Sequence, residues 1–207
     1  MRIYMLLCLY VVLNNSCSIG QNSSIRKNSA ETPGLKNENV YQNDETGWIM
    51  RIPNGWLIVN EDAFIASVHN KDSSMNLSTV KTLLVLHKNK DNVFMSFIQR
   101  YGDTTRGEWD KFMAERNDQL YIRYTQKSRK RGLQVKCDTS TKFEIIGPRV
   151  FRVFELNVYD TIGQNISNQI LCSTMFHDST FTVSMVSNNK SDRQTIMEAW
   201  EKSHFSR

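Results

Sequence analysis

The cysteines and histidines show most directly what chemistry is open to this chain, and little of their placement points to catalysis. Cys137 and Cys172 both fall in β-type runs. In an oxidising compartment they would pair as a disulfide, closing a loop of about 36 residues and contributing ~2–4 kcal/mol. The other reading is two free thiols packed as small hydrophobes, and spacing alone does not choose between them. No flanking motif makes either cysteine a nucleophile. His69, His87, His177 and His204 form no HxxxH or HExxH pair. Cys172 and His177 fall at opposite parity across the end of one strand, so they point to opposite faces and make poor co-ligands. No metal and no cofactor are expected. Gly102, Gly107 and Gly132 are too scattered for a phosphate loop, and no Gly-x-Ser-x-Gly elbow exists. Carboxylates such as Glu31 and the pair Glu61-Asp62 lie in loops or at helix starts, where capping explains them. One dense charge feature remains: Lys127, Arg129, Lys130 and Arg131 at the end of a helical stretch. It reads as a solvated helix end, or as a contact for anionic headgroups or an acidic protein.

The beginning of the chain says where these groups work. Arg2 precedes Ile3 to Leu13, a run without charge or strong polarity. It is too short for a membrane-spanning helix, which takes about 20 residues, and has the form of an export signal over residues 1–16. Leu13-Asn14-Asn15-Ser16-Cys17-Ser18 is similar to a lipoprotein signal, in which the cysteine thiol takes a diacylglycerol and becomes the acylated first residue. Ser16 fits that pattern; Asn14 departs from it, because the usual Leu stands one place early. Cys17 is therefore the expected lipid attachment. Ser18, not Asp, follows it, which implies passage to an outer membrane, facing the periplasm or the cell surface. The sequons at Asn22, Asn76, Asn165 and Asn189 leave a secreted glycoprotein as an alternative. With export expected, no nucleic-acid partner is expected.

Residues 17–40 are dominated by Asn, Ser, Lys, Glu and Gly and lack apolar periodicity. Such a stretch cannot offset its ordering entropy, so it reads as a lipidated flexible tether reaching roughly 25 Å. Residues 41–207 read as one globular domain. The whole chain has 207 residues, 40% of them hydrophobic, with a net charge of +5 and mean hydropathy of −0.47. That composition excludes collagen, wholesale disorder and a multi-pass membrane protein.

The domain is expected to alternate strands and three helices. Trp48 to Ile52 is a short strand closed by the turn Pro53-Asn54-Gly55, and Trp56 to Val59 continues apolar. Asn60 would cap a short helix through Val68, with Ala63, Phe64 and Val68 inward. Val80 to His87 and Val93 to Tyr101 flank a hairpin loop at residues 88–92. Thr105 and Glu108 form a capping box for a long helix carrying Trp109, Phe112, Met113, Leu120 and Tyr124 at helical spacing, stopped by Gly132. Strands are expected at Leu133 to Asp138, Thr141 to Ile146, Arg149 to Tyr159, Gln169 to Phe176 and Phe181 to Ser187. A last helix is expected from Ser191, boxed by Gln194, burying Ile196, Met197, Trp200 and Phe205. Sequential hairpins mean antiparallel pairing, so the fold class is α+β: an antiparallel sheet flanked by helices.

The run Gly47-Trp48-Ile49-Met50-Arg51-Ile52-Pro53-Asn54-Gly55-Trp56 resembles the opening of PsbP-like domains, a strand followed by Pro-x-x-Trp. The long Gly-ended helix after two strands, the β-meander and the closing amphipathic helix extend the resemblance over Tyr41 to Phe205. The family is named for a lumenal subunit of photosystem II and shares its fold with a nuclear Ran-binding factor. It resembles, too, the small lipoproteins of Bacteroidetes in its Asn/Lys/Ser-rich composition. The resemblance implies an α/β/α sandwich around a sheet of six or more strands, with no enzyme activity. The functional expectation is an anchored, non-enzymatic module that binds or helps assemble an envelope protein. The alternative is an exported hydrolase whose site is assembled from distant residues.

Overall fold

The computed structural model describes residues 35–37, 39–59, 80–102, 104–130, 132–176 and 178–206. The signal, Cys17, the helix expected at Asn60 to Val68, and the sequons at Asn22 and Asn76 lie outside the described residues.

A seven-stranded antiparallel sheet organises the molecule, in the order β4-β5-β6-β10-β9-β8-β7. Its strands are β4 (Leu57–Ile58), β5 (Val80–Asn89), β6 (Asn92–Arg100), β7 (Lys136–Ile146), β8 (Arg149–Tyr159), β9 (Asn165–Phe176) and β10 (Ser179–Ser187). A smaller sheet joins β1 (Leu35–Asn37), β2 (Val40–Asn43), β3 (Trp48–Arg51) and β11 (His204–Phe205) in the order β1-β2-β3-β11. β1 therefore falls within the stretch that reads as tether. Among the described residues the helices are α1 (Arg106–Lys130) and α2 (Lys190–Glu201).

The two faces of the large sheet are built differently. Phe94, Phe151, Val153, Ile170, Cys172, Phe181, Val183 and Met185 point to the side of α2 and the small sheet, into the main core. Trp48 is fully buried there, with its ring centroid 5.4 Å from Phe181 and 6.0 Å from Trp200. Edge-to-face contacts of this kind add about 0.5–1.5 kcal/mol each beyond the area they bury. This explains the "strand, Pro-x-x-Trp" opening: Trp48 and Trp56 both enter the core. The opposite face carries Phe154, Leu156, Val158 and Leu171 under Leu120 and Tyr124 of α1.

Both helix starts are capped, one of them not as expected. The Thr105–Glu108 box forms: Thr105 N donates to Glu108 Oε2 at 2.9 Å, and Glu108 N donates back to Thr105 Oγ1 at 3.3 Å. The C-terminus of α1 closes as a Schellman turn, with Leu133 N bonding Ser128 O and Gly132 N bonding Arg129 O, and Gly132 at φ +71°. For α2 the cap is Asn189, not Ser191; its side chain accepts from Asp192 N at 2.9 Å and donates to Asp192 Oδ2 at 2.8 Å. Asp192 also accepts from Lys88 Nζ at 2.5 Å, tying the helix start to the end of β5.

Two strand expectations are also corrected. The end of the strand expected at Leu133 to Asp138 and all of Thr141 to Ile146 belong to one eleven-residue strand, β7, which begins at Lys136 and leaves Leu133 to Val135 outside it. The polar run Asp138 to Thr141 looks like a break, yet an edge strand has no need to bury it. The β5–β6 loop is tighter than residues 88–92, since Asn89 already pairs with Asn92.

Candidate functional site

Along α1 the apolar stripe is interrupted at its centre by Arg116 and Asn117, both buried. The sheet below answers with polar residues at alternate positions: Thr180, Thr182 and Ser184 of β10, and Gln169 and Ser173 of β9. Trp109 Nε1 donates to Thr180 Oγ1 at 2.7 Å, and Arg116 Nη2 to Ser173 Oγ at 3.0 Å. Ser173 Oγ and Thr182 Oγ1 share a further bond at 3.0 Å. Both side-chain heteroatoms of Asn117 and of Gln169, and Ser184 Oγ, have no hydrogen-bond partner. Each such orphan costs about 1–3 kcal/mol, and buried groups of this kind are ordinarily satisfied by ordered water or a ligand. Among the described residues, the partners of Ser173 are Arg116 and Thr182, so no base is in place to activate its hydroxyl. With that pairing, Ser173 is not arranged for nucleophilic attack.

Sequence reasoning passed over this layer. Its signal was present: two polar residues inside the helix stripe, and hydroxyls alternating with Phe181, Val183 and Met185. Alternation ordinarily marks a half-exposed strand, but every residue of β10 is buried.

The residues singled out from the sequence scatter. Cys137 and Cys172 are both free, the second of the two readings open to them. β8 runs between their strands, with Cys137 beside Val158 and Cys172 beside Val153. Val158 and Val153 point to opposite faces, and so do the two thiols. Burial pushes the Cys172 thiol far above its ordinary range and raises that of Cys137, where Asp138 adds to the effect. Both are poor nucleophiles. Arg129 and Lys130 are exposed at the end of α1, which also carries Lys127; Arg131 lies outside the described residues. His87 is half-buried on β5, its imidazole held below the ordinary value by burial, while His204 is exposed on β11. Among the described residues no three of His, Cys, Asp and Glu gather as a metal site. Asn189 Nδ2 is engaged by Asn188 and Asp192, and Asn165 Nδ2 bonds Asn157 Oδ1 at 3.2 Å.

A second candidate surface lies beyond the reach of α1, at the β7 end of the large sheet. Phe143, Ile145 and Val150 point to the α1 side and are 57%, 76% and 45% exposed. Arg152 leans toward this strip, its guanidinium 6.0 Å from the Phe143 ring centre. β7 has β8 on one side and, among the described residues, no strand on the other. Three exposed apolar side chains beside an open row of backbone N–H and C=O groups make a surface suited to another polypeptide.

No protein-family model matches the chain, and no curated protein sequence matches it. Its fold is similar to the solution structure of cyanobacterial PsbP (CyanoP) from Synechocystis sp. PCC 6803, with a TM-score of 0.50 and 13% identity. The match covers 83% of this chain and 95% of that one. The fold is PsbP-like, as the opening Trp48 to Trp56 motif implied.

Proposed function

We propose that this protein is exported, acylated at Cys17 and held on the outer membrane, where its PsbP-like domain binds or helps assemble an envelope protein without catalysing a reaction. The observation that carries the binding half is the exposed strip Phe143, Ile145 and Val150 beside the open edge of β7. The anchoring half draws on the Ile3 to Leu13 run and on Ser16-Cys17. Two acyl chains hold a protein on its bilayer where one binds only marginally. Crosslinking from native membranes tests the binding. The parent chain is expected to capture an envelope component, and the pair Phe143→Asp and Ile145→Asp to lose it while still fractionating with membranes. Equal capture by the variant contradicts this surface.

The orphaned amides of Asn117 and Gln169 favour a second reading, an exported enzyme acting on a small polar substrate beneath α1. Turnover abolished by Arg116→Met with an unchanged unfolding midpoint would support it over the first.

A further inference from the structure

The open edge of β7 carries its own complement. Even-numbered residues of β7 share the face of Phe151 and Val153, as Glu144 pairs with Phe151 and Lys142 with Val153; odd-numbered residues share the face of Val158, partner of Cys137. On the even face the charges run Lys136, Asp138, Lys142, Glu144. Lys136 is near Asp138 at 3.7 Å and Lys142 near Glu144 at 2.5 Å, and three of the four side chains are more than half exposed. Two copies of this strand laid antiparallel about a two-fold axis at Ser140 bring Lys136 opposite Glu144 and Asp138 opposite Lys142, each pair occurring twice by symmetry. On the odd face the same register sets Cys137 against Phe143, Thr139 against Thr141, and Val135 against Ile145. Sliding by two residues either way is penalised: one direction opposes Asp138 to Glu144, the other Lys136 to Lys142. Like charges directly opposite each other across a ladder destabilise it, and opposite charges stabilise it. The turn that follows β7 sets the hydrogen-bonding phase. Ile146 pairs with Arg149 around the two-residue turn Gly147-Pro148, with Gly147 at φ +57°, as a type II′ hairpin requires. The pair flanking such a turn is hydrogen bonded, so even residues spend their backbone groups on β8 and odd residues turn theirs outward.

We propose that two copies of this chain pair through β7 in this register, making one continuous sheet across an isologous two-fold interface. The inference rests on the reading of the β7 edge as the binding surface and names a second copy as its occupant. The pairing covers Phe143 and Ile145 with apolar neighbours from the other copy and occupies the edge that Lys136 and Lys142 otherwise guard.

Ser140 tests the register because it alone faces itself. In an antiparallel ladder its non-hydrogen-bonded Cα atoms would stand about 4.5 Å apart, within disulfide reach. The full chain carrying Cys137→Ser and Ser140→Cys, oxidised mildly in its membranes, should run as a disulfide-linked dimer without reductant, while Cys137→Ser alone should not. Adding Asp138→Lys should lower the dimer several-fold by opposing it to Lys142, and adding Lys142→Glu as well should restore it. The pairing is overturned if the Ser140→Cys chain stays monomeric with an unfolding midpoint matching its parent, or if the charge swap restores nothing. Coupling of that cysteine to a different envelope protein also overturns self-pairing but leaves the binding surface standing; coupling to nothing removes both.

Discussion

Cys172 and Cys137 differ more in surroundings than in chemistry. Cys172 is fully buried beneath the small sheet and α2, and burial pushes its thiol up; Cys137 is partly covered by α1. A thiolate is the reactive form, so burial slows alkylation. Native protein exposed to iodoacetamide should modify Cys137 slowly and Cys172 not at all. Unfolding without reductant should then release both for labelling; a Cys137–Cys172 bond would leave neither. Asp192 is the other instructive residue. Its hydrogen bond from Lys88, and then that from Asn189, hold its carboxyl below the ordinary 3.8. A depressed folded-state value means the stabilisation is present above that ordinary value and is lost as pH falls through the folded one. Urea unfolding between neutral pH and pH 3 should show stability declining into acid, and Asp192→Asn should flatten that decline. Part of the slope should persist, because Glu108 is held low by Thr105 and Glu198 by Gln194.

The elements legible from sequence are those whose ends carry their own chemistry. α1 announces itself with Thr105 and Glu108 and stops at Gly132 because the Schellman turn needs a positive φ there. β8, β9 and β10 read clearly because their turns are short and their apolar runs are long. The unread part belongs to elements that tertiary pairing decides. β7 looks broken because its polar middle faces water. β1 and β11 are too short to show periodicity, and among the described residues each pairs with one partner strand. The cap of α2 is Asn189 and not Ser191, boxed locally by Asp192, which a lysine 104 positions away also reaches. The polar layer under α1 went unread because a buried Ser or Thr looks in sequence like an exposed one. Two glycines separate local cause from context. Gly132→Ala should destabilise by about 1 kcal/mol through its left-handed backbone alone, since an added Cβ meets nothing within 4 Å. Gly107→Ala, in the first turn of α1 with equally open space, should stabilise by a few tenths to about 1 kcal/mol. Denaturant midpoints of the two variants should move in opposite directions.

At the scale of the whole molecule, a PsbP-like α+β sandwich closes around its core and, among the described residues, leaves the β7 border of the large sheet unpaired beside exposed apolar side chains. Trp48, Phe181 and Trp200 lock the small sheet and α2 to one face of the large sheet. α1 covers part of the other face and leaves Phe143, Ile145 and Val150 exposed. A domain that exposes apolar surface beside a sheet edge depends on where it is kept: in free solution it would meet any partner, while on a bilayer it meets those beside it. The mooring therefore decides which partners the domain meets. Intact mass of the protein extracted from membranes of cells expressing the whole chain tests it most directly. The expected product begins at Cys17 and carries a diacylglyceryl group with or without a third acyl chain, and Cys17→Ser abolishes that addition. A product that retains Met1 and is recovered unmodified from the cytosol would contradict it.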